Sequence, residues 1–86
     1  MRMRLREAVS LVATDDGAVL LDEHAGRYWQ VNRTGFLVLS TLLGEGDRDD
    51  AVEALVCRFG VGEEHARNDV SGLVAQLTAA RLLVAS

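Results

Sequence analysis

Apolar and polar positions alternate with a period near two over the first third of the chain and change to helical spacing after Asn32. Short apolar runs at residues 9–13 and 18–21 are separated by Asp15-Asp16-Gly17. Asp and Gly tolerate the left-handed conformation of a tight hairpin, so the trio predicts a turn between two antiparallel strands. Residues 22–26 predict a second turn, with Gly26 where a positive φ is needed, and residues 27–31 a third strand. By parity, Trp29 and Val31 share one face of this strand, with Arg27 on the same parity at its start. Tyr28 and Gln30 point to the other face.

Asn32 can accept a hydrogen bond from a free amide of the next turn and so start a helix. Phe36, Leu39 and Leu43 share one face of it, while Leu37, Val38 and Leu42 spread apolar surface around most of the cylinder. Such a helix is expected to be buried on several sides. Leu37 or Val38 is then either core or part of a docking surface. Gly44-Glu45-Gly46 ends the helix, and Asp47 with Asp50 three residues on predicts a capping box for a second. Its stripe is Val52, Leu55, Val56 and Phe59, stopped by Gly60. Glu63 and Glu64 suit the first turn of a third helix, whose stripe is Ala66, Val70, Leu73, Leu77 and Ala80. Val74 flanks that stripe beside Arg67 and is either a groove wall or peripheral core; Asp69 lies on the opposite flank. The order is β-β-β-α-α-α, an α+β, winged-helix-like arrangement of a three-stranded antiparallel sheet followed by three helices.

A chain of 86 residues has room for one core, so residues 1–86 are expected to form a single domain. Residues 1–6 carry three arginines ahead of an apolar stretch too short for a secretion signal, and read as a mobile arm. Thirteen acidic residues against nine basic ones give a net charge of -4, which repels phosphate backbones and makes nucleic acid a poor partner. One cysteine, Cys57, rules out an internal disulfide and suits a reducing cytoplasm. No apolar run reaches the roughly 18 residues of a membrane span.

The chain offers little to catalysis. His24 and His65 lie far apart in sequence, each without a second ligand at metal spacing, and read as solvated side chains instead of a zinc site. Cys57 falls opposite the core stripe of its helix with only Arg58 nearby, and lacks the base that a nucleophile requires. Glu45, Asp47, Asp49, Asp50 and Glu53 lack the alternating calcium-loop pattern and fit helix capping and a solvated face. Phosphate loops, serine elbows and zinc-protease motifs are missing. The expectation is a protein that is not an enzyme and takes no metal or other cofactor.

The stretch Gly26-Arg27-Tyr28-Trp29-Gln30-Val31-Asn32-Arg33-Thr34-Gly35, followed by an apolar helix, a glycine-rich acidic turn, Arg58-Phe59-Gly60-Val61 and Asp69-Val70, resembles the PqqD-like family, or RiPP recognition elements. The resemblance covers residues 18–84 in order. Within the family, the stand-alone leader-binding protein of lasso-peptide biosynthesis looks nearest, since the chain is short and has no proline, whereas PqqD usually carries a Pro-Glu segment in its second hairpin. Where the family commonly ends its third helix with glycine, this chain has Arg81-Leu82-Leu83, so that helix is expected to run on by another turn.

The resemblance implies binding of the leader segment of a ribosomally made precursor peptide, as an added β-strand in the groove between the third strand and the third helix. On that reading the backbone of Arg27, Tyr28, Trp29, Gln30 and Val31 pairs with the leader. Val70, Leu73, Val74 and Leu77 line a pocket for apolar anchors, with Arg67 beside Val74, and Asp69 is placed to meet a basic leader residue. A separate cysteine protease is the implied partner. A monomer is expected, with a dimer across the open strand edge as the alternative. A winged-helix DNA-binding regulator is the reading from another class, although Glu63, Glu64 and Asp69 make the third helix a poor recognition helix. A small protein-interaction domain is the third.

Overall fold

In the computed structural model, which describes residues 3–85, two sheets and three helices share one core. The first strand, β1, is Met3–Leu5, followed by β2 (Val9–Thr14), β3 (Gly17–Asp22) and β4 (Arg27–Asn32). Helices α1 (Arg33–Leu43), α2 (Arg48–Phe59) and α3 (Glu63–Ala79) come next, followed by β5 (Leu83–Ala85). The expected meander is present as an antiparallel sheet in the order β2-β3-β4. Its register pairs Thr14 with Gly17, Leu11 with Leu20, Leu20 with Trp29 and Ala18 with Val31. The hairpin turn places its demand on one residue: Asp15 and Asp16 keep negative φ, and only Gly17 is unusual, at φ +150°.

A second, two-stranded sheet joins β1 to β5, with Met3 opposite Ala85 and Leu5 opposite Leu83. Over residues 3–6 this replaces the mobile arm expected there. Met3 is buried, and the Arg6 amide donates to the Leu82 carbonyl at 3.1 Å. The arginines misled, because Arg6 is a structural residue. Its guanidinium donates to Asp22 Oδ2 at 2.7 Å, and Asp22 is a buried carboxylate at 1% exposure. Met1 and Arg2 lie outside the described residues.

Both predicted caps form. Gly35 donates its amide to the Asn32 side chain at 2.9 Å, and the Asp47–Asp50 box closes with reciprocal 2.9 Å hydrogen bonds. α3 does not run on as expected. It stops at Ala79 with Ala80 as cap, because Arg81 takes φ +62°. The Arg81 amide reaches the Thr78 carbonyl at 3.0 Å and the Leu82 amide the Leu77 carbonyl at 2.9 Å, the two bonds of a Schellman ending. Arginine thus occupies a left-handed position that usually goes to glycine.

Leu20, Leu39, Leu42, Leu55, Leu77 and Leu83 are fully buried at the centre. The α1 stripe differs from the expected one. Val38, Leu39 and Leu42 are buried while Phe36 and Leu43 are half-exposed, because the strands and helices pack on the Val38 side. Ala51, Val52 and Leu55 form the buried side of α2, and Phe59 at its end is 42% exposed.

A candidate peptide groove beside an open strand edge

β4 pairs with β3 along one edge, and no strand among the described residues pairs with the other. Its side chains follow the predicted parity. Val31 is buried and Trp29 packs against the core, whereas Gln30 is exposed and Tyr28 is 69% exposed on the outer face. α3 lies along this edge in the opposite sense. Arg27, at the start of β4, donates to the carbonyl of Ala80 at 3.3 Å, and Leu73 and Gln76 lie near the far end of the strand.

A groove of about 840 Å³ follows β4, lined by Trp29, Gln30, Val31 and Asn32 on the sheet side and by Leu73 and Gln76 on the helix. It reaches the hairpin carboxylates Asp15 and Asp16. A second hollow of about 330 Å³ continues from Asn32, Leu73 and Gln76 over Thr34, Gly72, Asn68 and Asp69. The strand and α1 are held close here by Gly35. A Cβ at that position would sit 3.2 Å from Asn32 Oδ1 and collide with the Val31 side chain. Only glycine lets α1 start immediately behind the groove, which gives the Thr34-Gly35 step a physical reason.

The structure divides the expected site residues. Arg27, Tyr28, Trp29, Gln30 and Val31 lie together on the open strand, with Leu73 facing them and Asp69 at the end of the groove. Val70, Val74 and Leu77 do not line it. They are 1%, 4% and 0% exposed and point into the core, so Val74 takes the alternative already open to it. Arg67 is on the wrong side of α3 for the groove, where it bridges Asp49 at 3.0 Å and Glu63 at 3.2 Å. The flank of α3 that meets β4 is therefore the Asp69 flank.

Asn68, Gly72 and Gln76 were missed, although their i, i+4 spacing puts them in one column beside Leu73. Asp69 is half-exposed and 3.3 Å from His65 Nε2. The same Arg27 Nη2 that donates to Ala80 lies 3.9 Å from Asp22 Oδ2. The Ala25 amide, and after it the Arg6 and Arg27 charges, hold the Asp22 carboxyl below the usual carboxylate range despite its burial.

Residues 17–83 match the family described as coenzyme PQQ synthesis protein D (PqqD). The chain belongs to the PqqD family. Among solved structures, lasso peptide synthetase B1 complexed with the leader peptide is 33% identical, with a TM-score of 0.91 over 99% of this chain and 100% of that one. TbiB1 in complex with the TbiA(beta) leader peptide has the same fold, at a TM-score of 0.85 and 23% identity over 96% of each chain. No curated protein matches significantly. The PqqD membership accounts for the ordered run from the Trp29 strand to Asp69-Val70, which no single motif in the chain would identify. Among the described residues of this PqqD-family chain, no three His, Cys, Asp or Glu side chains gather where they could hold a metal ion. No described helix is long and apolar enough to cross a membrane.

Proposed function

We propose that this domain binds the leader segment of a ribosomally made precursor, of the lasso-peptide class, by adding it as a strand to β4, and presents the remainder to a separate protease. The observation that carries the reading is the unpaired edge of β4 beside a groove walled by Leu73 and Gln76, in a chain 33% identical throughout to a protein solved with a leader peptide. An extended peptide satisfies the free amides and carbonyls of an open edge, and pockets for alternate side chains supply selectivity.

Each added backbone hydrogen bond contributes about 0.5–1.5 kcal/mol net, and each buried apolar anchor roughly 1.5–3 kcal/mol. Set against the ordering of a flexible leader, these give a Kd of about micromolar or somewhat below. Trp29, Val31 and Leu73 are the surfaces for apolar anchors. Asp69 and the hairpin carboxylates Asp15 and Asp16 all lie toward the Asn32 end of β4, and favour a leader carrying basic residues near that end. The domain works in the cytoplasm and contributes binding, with the chemistry residing in the protease.

Fluorescence-polarisation titration with the leader half of a lasso-peptide precursor encoded beside this protein's gene tests this. Saturable binding at about micromolar or tighter, abolished by shuffling the leader, is the expected result. A folded sample that fails to bind would eliminate leader recognition.

A further inference from the structure

A second concave surface lies on the other side of the hairpin tip from the β4 groove. Thr14, Asp15 and Gly17 form one side of it, α1 contributes Arg33, Phe36, Leu37 and Ser40, and the end of α2 adds Arg58 and Phe59. The α1 residues recur at i, i+3, i+4 and i+7, so they form the face opposite the buried Val38, Leu39 and Leu42. The notch measures about 380 Å³, room for a few side chains. Its apolar content is unusual for a solvent-facing site: Phe59 is 42% exposed, and both phenylalanines of the chain line it.

The charge at the notch opposes that of the molecule. In a chain of net charge -4, two guanidiniums and one carboxylate line this hollow, and neither Arg33 nor Arg58 makes an ion pair among the described residues. Aromatic side chains with flanking arginines are the composition enriched at protein interfaces. The complement is a segment bearing carboxylates next to apolar side chains. The notch also touches the peptide groove, since Thr14 and Asp15 line both.

We propose that this notch is the docking site for an acidic, apolar segment of the protease that receives the peptide. The partner's identity rests on the function proposed above, whereas the chemistry of the segment rests on the notch alone. Phe36 and Phe59 take up its apolar side chains, and Arg33 and Arg58 pair with its carboxylates. Docking here leaves the β4 edge free, so one domain holds the leader and the protease at once.

The test titrates the protease encoded beside the precursor against the full domain by isothermal calorimetry, at about 50 and 500 mM salt, between which surface charges become screened. Wild-type domain is expected to bind, more weakly at high salt. The Arg33→Glu/Arg58→Glu double variant should lose at least tenfold in affinity together with the salt dependence, and Phe59→Ser should lose affinity at both salt concentrations. Arg4→Glu/Arg48→Glu, at two exposed arginines outside the notch, makes the same change in net charge and should bind as wild type. Leader affinity, read separately by polarisation, should be unchanged in every variant, which separates this proposal from leader recognition itself. Equal protease binding by wild type and the double variant overturns the proposal. So does a wild-type domain that ignores the protease, or one that self-associates through the notch.

Discussion

Leu73 and Val74 are neighbours in sequence, about 100° apart around α3, and the structure gives them opposite duties. Leu73 is half-buried and faces Trp29 and Val31 across the groove, whereas Val74 is 4% exposed within the core. Covering the open part of Leu73 and an equal area of peptide removes roughly 80 Å² of apolar surface from water, about 2 kcal/mol at 25 cal/mol per Å². Leu73→Ala gives up most of that, so leader affinity should fall about tenfold, or roughly 1.4 kcal/mol. Its stability cost should be modest, since part of the side chain is already in solvent. Val74→Ala removes two buried methyl groups and leaves a cavity, which should lower unfolding free energy by about 2 kcal/mol. Its leader affinity should stay within about twofold of wild type wherever the variant is folded. Polarisation titration and urea unfolding on both variants give the four numbers. If Val74→Ala weakened binding while folded, or Leu73→Ala left binding intact, the Asp69 flank of α3 would not be the groove wall.

Other expectations follow from the same geometry. Arg81→Gly relieves a left-handed arginine, worth about 1–2 kcal/mol, against a glycine entropy penalty of about 0.5–1 kcal/mol. Thermal melting should therefore show a rise of a few degrees. Gly35→Ala drives a methyl group into Val31 and crowds the Asn32 cap, and should destabilise by roughly 1–3 kcal/mol in urea. Asp22 has a folded pKa below its unfolded value, so its stabilising contribution is complete above the unfolded pKa of about 3.9 and fades as pH falls through the folded one. The stability advantage of wild type over Asp22→Asn should accordingly be large at neutral pH and shrink in acid; a constant difference would refute the assignment.

Local signals were legible in the sequence. The Asn32 cap, the Asp47–Asp50 box and the parity of Trp29 and Val31 each depend on residues within four positions, and all three are present. Long-range features were hidden. β1 and β5 are three residues each and find one another only across the whole chain, so neither shows a period of its own. Arg81 carries no sign that its backbone turns left-handed, because the sharp helix ending is imposed by β5 returning to pair with β1. The stripe of α3 identified Ala66, Val70 and Leu77 correctly as core. Which flank meets β4 depends on how α3 sits against α2, and the Arg67–Asp49 ion pair shows that the Val74 side is turned toward α2.

The β1–β5 pairing also sets the order in which the molecule can be completed. Met3 is made before every helix described here, and its strand partner Ala85 only after all three. The meander and the helices can assemble from neighbours as they emerge, through contacts that are short in sequence. β1 cannot do so; it must wait, with Met3 uncovered, until residues 83–85 have left the tunnel. Leu83, among the most buried side chains of the core, arrives in the same late step. During that interval the nascent chain already contains β4 and its open edge, beside a core that still lacks its final side.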